Sequence, residues 1–85
     1  MSQIDKDALI KNAISLFNAG QINECLKETL RASKIYPDEP FIYNLLGVLY
    51  ADMSSFEDSI KNYSKALKLN PNYFDVFNNI GVAYS

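Results

Sequence analysis

Apolar residues recur three and four positions apart along most of this chain, the period of an amphipathic helix. Leu9, Ile10, Ala13, Ile14, Leu16 and Phe17 form the first such set, and Gly20 ends it as a natural left-handed stop. A second helix is predicted from about Ile22 to Ile35, with Leu26, Leu30 and Ala32 facing inward, stopping before Pro37. Asp38, Glu39 and Pro40 open a third, because acidic residues and an early proline suit a helix N-terminus. It runs to about Met53. Ser55 is expected to cap a fourth, with Asp58 as a capping-box relative, and Asn70-Pro71 turns the chain after Leu69. Asn72 is the expected cap of a fifth, which has Asp75 in its first turn. No sustained period-two segment exists, so no strand is predicted. The short connections between these segments force neighbouring helices antiparallel.

The chain also matches itself. One fixed offset aligns Lys27 with Lys61, Ala32 with Ala66, Lys34 with Lys68 and Pro37 with Pro71. The same offset continues through Asn44 with Asn78, Gly47 with Gly81, Val48 with Val82 and Tyr50 with Tyr84. Most of these residues are small, aromatic or proline, the types that fix geometry. Gly47 and Gly81 fall inside helices, where glycine costs about 1 kcal/mol against alanine. That cost makes sense where a partner helix crosses closely. Ala32, Ala66, Cys25 and Ser59 are small residues suited to the same approach, with Tyr43, Tyr50 and Tyr63 filling the space between helices. The expected architecture is an α-solenoid of five helices: two full repeats, 6–39 and 40–73, and the first helix of a third, 74–85.

Composition narrows the chemistry. With no histidine and one cysteine in 85 residues, an internal disulfide is impossible and a structural zinc site lacks ligands. No metal, cofactor or catalytic residue is expected: there is no phosphate-binding glycine loop, and Cys25 has no base to activate it. Eight basic against ten acidic side chains leave a net charge of −2, which exerts no long-range pull on nucleic acid. Both full repeats are neutral, so the −2 comes from Asp5 and Asp75. No apolar run approaches the length of a membrane span and no leader is visible at the start, so a cytoplasmic protein is expected. Seven lysines to one arginine, with nine asparagines, read as the bias of an AT-rich, bacterial genome.

The motifs resemble those of tetratricopeptide repeat proteins. Tyr43, Leu46-Gly47, Tyr50, Ser59, Tyr63, Ala66 and Pro71 reproduce the family pattern in the second unit. Phe77, Ile80-Gly81 and Tyr84 begin it again, and the first unit is degenerate, with Leu9, Asn12-Ala13, Leu16, Cys25, Thr29, Ala32 and Pro37. The resemblance implies a non-enzymatic scaffold that binds a peptide segment in a concave groove lined by first helices. The groove residues it implies are Ile10, Ile14, Phe17, Phe41, Asn44, Val48, Asp52, Asn78, Asn79 and Val82, with Asp7, Ala51 and Asp75 beside them and Lys11 and Leu45 at the border. Members that clamp acidic chaperone tails use Lys, Asn, Asn, Lys and Arg; here the matching places are Ile10, Ile14, Leu45, Asp75 and Asn79, so that clamp is not expected. The asparagine ladder of relatives resembling O-linked N-acetylglucosamine transferases maps to Lys11, Leu45 and Asn79 and is mostly missing. Asn44 and Asn78 instead recur at the repeat period, placed either to bond a peptide main chain or to face solvent.

Two further surfaces stand out. Lys27, Arg31 and Lys34, repeated as Lys61, Lys65 and Lys68, form a basic ridge on the second helices, read either as complementing the helix dipole and pairing with Glu24, Glu28, Glu57 and Asp58 or as a surface for an acidic partner or phosphate. Phe77, Ile80 and Tyr84 form an apolar face on the last helix that wants cover. A homo-oligomer through that face, and a chain that is a fragment of a longer solenoid, are both expected. Alternative functions are a docking arm for a transferase-type enzyme encoded downstream and a self-assembling structural repeat.

Overall fold

A computed structural model describes the backbone of residues 5–84 and the side chains of residues 5–81. The order is α1 (Lys6–Asn18), α2 (Ile22–Ile35), α3 (Pro40–Asp52), α4 (Phe56–Leu69) and α5 (Phe74–Tyr84), with no strand among the described residues. First helices begin at Lys6, Pro40 and Phe74, and second helices at Ile22 and Phe56, so both kinds recur at the offset that aligns the sequence with itself. The chain divides into two compact units, residues 1–37 and 38–85. In the first, α1 packs on α2; in the second, α3 packs on α4 and α5 rests against both.

The turns are built from local backbone chemistry. Gly20 sits at φ +76°, and its N–H donates to the Phe17 carbonyl while that of Gln21 reaches back to Leu16, both at 3.0 Å. This pair of bonds is the Schellman stop, which needs a left-handed residue. The same stop recurs one repeat later, with Ser54 at φ +61° and N–H bonds from Ser54 to Ala51 and Ser55 to Tyr50. Second helices end with Tyr36 N–H on Ala32 and Asn70 N–H on Ala66, each followed by a proline that cannot continue the helix.

Local expectations are refined or corrected. Ser55 holds the N-cap position of α4 as expected, but its hydroxyl donates to the Asp58 carboxylate at 2.8 Å and makes no bond to a backbone amide. Asn72 does not cap α5: the helix starts at Phe74, and Asn70 Oδ1 accepts from the Asn72 N–H to shape the turn. Leu30 is exposed, because Cys25, Thr29 and Ala32 already define the buried stripe of α2. By contrast, Glu39 and Pro40 open α3 as expected, with Glu39 Oε2 accepting from the Phe41 N–H at 3.1 Å.

One arrangement organises both hairpins. The Cys25 thiol donates to the Ala13 carbonyl at 3.2 Å, and at the equivalent place in the second unit the Ser59 hydroxyl donates to the Gly47 carbonyl at 2.7 Å. Each bond ties a second helix to the middle of its first helix. What lies one helical turn further decides the small residue opposite. Tyr63, fully buried, lies so close to Gly47 that a Cβ there would fall 2.7 Å from the ring Cζ and nearer still to Cδ1 and Cε1. In the first unit Thr29 occupies the Tyr63 place, bonding the Cys25 carbonyl at 2.6 Å, and the opposing residue is Ala13. A small hydroxyl residue permits alanine; a phenol ring demands glycine.

Candidate functional site

The groove residues divide between the two units. On α1, Ile10 and Phe17 are half-buried and Ile14 is 37% exposed. Leu9 and Ala13 take the buried positions there, because they meet α2. On α3, Phe41, Val48 and Ala51 are half-buried and Asp52 is exposed at the C-terminal end. Leu45, expected at a border, is buried. On α5, Asn78 and Asp75 are exposed and Asn79 is half-buried; the side chain of Val82 lies outside the described ones.

Asn44 occupies a particular place. It is buried, with its Oδ1 accepting from Asn79 Nδ2 at 2.9 Å and its Nδ2 donating to the Tyr73 hydroxyl at 3.4 Å. A buried amide must be paired, and this one is paired to α5 and to the turn before it. Asn44 thus links α3 to α5, and its carboxamide is engaged within the unit rather than solvated. Its partner Tyr73 has its phenol pushed up by burial, an effect partly offset by the Asn44 bond. Sequence periodicity picked out Asn44 and Asn78 as equivalents; the pair that forms is Asn44 with Asn79, because α5 meets α3 one position later.

The apolar face of α5 is open. Phe74 is 75% and Phe77 53% exposed, and Ile80 is half-buried; the Tyr84 side chain lies outside the described ones. Val76 supplies the anchor, fully buried in the unit. A Cβ at Gly81 would meet nothing within 4 Å among the described residues, unlike Gly47.

The six cations of the basic ridge are all exposed, and Lys34 and Lys68 lie in the last turns of α2 and α4. Arg31 pairs with Glu28 at 3.2 Å across one turn, an exposed pair of small energetic weight. Lys65 does something the sequence did not indicate: its Nζ lies 4.7 Å from the centroid of the Tyr43 ring. Sequence reading also missed a shallow concavity at the start of α4, lined by Phe56, Glu57, Asp58, Ile60 and Lys61. The apolar pair Phe56 and Ile60, one helical turn apart, was its only available signal.

Nothing among the described residues resembles a reaction centre. Cys25 is buried, held by the Ala13 carbonyl, and burial pushes its thiol up, away from the reactive thiolate. No group of three potential metal ligands occurs, and no helix is long and apolar enough to cross a membrane, both among the described residues.

Helical hairpins that recur at a constant offset, tied by the same cross-helix bond, define a helical-repeat protein. The family model described as TPR repeat matches residues 49–85. Together with the recurrence of the same bonds in the first unit, this match supports a protein of the tetratricopeptide repeat family. Repeats of this family generally mediate protein–protein interaction and are typically non-catalytic. No curated protein matches the chain.

Proposed function

We propose that this protein is a non-catalytic scaffold that binds a peptide segment on the first helices of its repeats. In the second unit the surface comprises Phe41, Val48 and Asp52 of α3 with Asn78 and Asn79 of α5. In the first unit it comprises Ile10, Ile14 and Phe17 of α1. The observation that carries the reading is the Asn44–Asn79 bond, which fixes α3 against α5 within the second unit. Apolar burial then supplies affinity, and amides orient a main chain. The surface carries little positive charge, so an acidic tail is not its ligand.

Selection of a displayed random-peptide library on the intact chain tests this. Phe41→Ala and Ile14→Ala, assayed separately, are expected to weaken at least one selected peptide by about ten-fold with the helical signal unchanged. Peptides whose affinity neither substitution alters overturn the assignment.

A further inference from the structure

Charge is sorted by helix in the second unit. All of its cations, Lys61, Lys65 and Lys68, stand on α4. The first helices carry the opposite sign: Asp52 is the sole charged residue of α3 and Asp75 that of α5, and Glu39 stands at the cap of α3. On α1 Asp7 is accompanied by Lys6 and Lys11, so the bias belongs to the second unit.

These carboxylates are not equivalent. Glu39 accepts from the Phe41 N–H and Asp75 lies in the first turn of α5, both places where negative charge complements the helix dipole. Local structure accounts for these two. Asp52 is set against the dipole. It lies in the last turn of α3, where the backbone already presents its negative end, and no basic residue shares that turn. The second helices are built the other way, with Lys34 and Lys68 in their last turns. Asp52 is exposed and pairs with no cation among the described residues. Asn18 holds the equivalent last position of α1, so the hairpin itself requires no carboxylate there.

The place of Asp52 on α3 gives its charge a partner to meet. Phe41, Val48 and Asp52 share one stripe of the helix, while Tyr43 and Gly47 occupy the side that meets α4. Phe41 and Val48 are half-buried, so an apolar stripe ends on an uncompensated negative charge. Val48 and Asp52, one helical turn apart, are separated by about 6 Å along the axis. Two residues of an extended chain cover about 7 Å, with both side chains on the same face.

We infer that the peptide received on α3 is basic: an extended segment that sets an apolar side chain on Val48 and a lysine or arginine, two residues away, on Asp52. The inference rests on the groove reading and names the chemistry of its ligand. Apolar burial supplies most of the affinity, and the cation fixes register by meeting Asp52 and the negative end of the α3 dipole together.

Two displayed peptide libraries of equal apolar content, one with lysine and one with glutamate as the only charged residue, are selected on the intact chain. Saturable binders are expected from the lysine library. Their affinity falls as salt rises from about 0.01 M to about 1 M, over which the screening length drops from about 30 Å to about 3 Å. Asp52→Asn weakens them about two- to five-fold, the range of an exposed ion pair. Glu57→Gln, which removes the same charge from α4, leaves them unchanged. Asp52→Lys weakens them further, yet raises the urea midpoint by complementing the α3 dipole, so lost binding is separated from lost folding. Glutamate-library binders of equal or greater affinity overturn the inference, as do lysine-library binders indifferent to Asp52 or equally sensitive to Glu57→Gln. In those cases, binders that still weaken with Phe41→Ala leave the groove standing. Binders that neither Phe41→Ala nor Ile14→Ala weakens, or no saturable binder from either library, overturn the groove and the basic ligand together.

Discussion

Adding one methyl group to Gly47 sets two effects of known sign against each other. Alanine is the better helix former by about 1 kcal/mol, so the substitution stabilises α3 if space allows. The structure allows none: the new Cβ lands within 2.7 Å of Tyr63 Cζ and closer to two other ring carbons. Tyr63 is 1% exposed, so its ring moves only by displacing packed neighbours. Overpacking of this kind costs about 1–3 kcal/mol, which leaves a net loss of up to about 2 kcal/mol at Gly47→Ala. Tyr63→Thr alone removes a buried ring and costs about 2–4 kcal/mol. In that background the methyl enters vacated space, recreating the Ala13–Thr29 pair of the first unit, and Gly47→Ala becomes stabilising by about 1 kcal/mol. The cycle therefore predicts a coupling of about 1–3 kcal/mol, measured by urea unfolding followed by circular dichroism. Gly81→Ala is the control, expected to stabilise by up to about 1 kcal/mol because its Cβ meets nothing within 4 Å among the described residues. If Gly47→Ala stabilises as much as Gly81→Ala, close helix crossing is not why glycine stands at position 47.

Ser54 holds the left-handed position that Gly20 fills in the first unit, so Ser54→Gly is expected to raise stability by about 1 kcal/mol and Gly20→Ser to lower it similarly, read as opposite shifts of the urea midpoint. Ser59→Ala deletes the bond to the Gly47 carbonyl and should cost about 1 kcal/mol, whereas Cys25→Ser preserves the equivalent donor and should cost less on the same assay. The pH response follows from Cys25, whose thiol burial pushes up, with the Thr29 bond opposing in part. The folded state then holds its proton where the unfolded chain has lost it, so stability is full below the ordinary thiol value of about 8.5 and falls as pH rises above it. The half-buried Tyr73 phenol acts with the same sign at higher pH. Cys25→Ser should flatten the first part of that decline in unfolding measured across alkaline pH; an unchanged slope refutes the assignment to Cys25.

Much of the fold was legible because its signals are local. Gly20 stops α1 by backbone conformation alone, Pro37 and Pro71 end the second helices by lacking an N–H, and the helical period is written into each segment. The repeat offset was readable because it rests on glycine, alanine and aromatic residues, whose sizes fix how near two helices come. Ser54 escaped notice although it is the counterpart of Gly20 one repeat later, because serine does not announce a positive φ.

The sequence by itself determined the helices, their order and the repeat, since those depend on neighbours a few residues apart. Tertiary structure alone decided which polar groups meet. Asn44 looked like a groove amide and is a buried link to Asn79; Lys65 looked like part of a solvated ridge and lies over Tyr43. Ser55 holds the cap position of α4, yet its hydroxyl goes to Asp58 and not to a backbone amide. Hydrogen bonds and cation–π contacts act over a few ångströms and depend on direction, so the crossing of two helices selects the partner where periodicity only supplies candidates. Gly47 shows both halves: its place in the repeat was written in the chain, and the Tyr63 ring that requires it appears only when α3 and α4 pack.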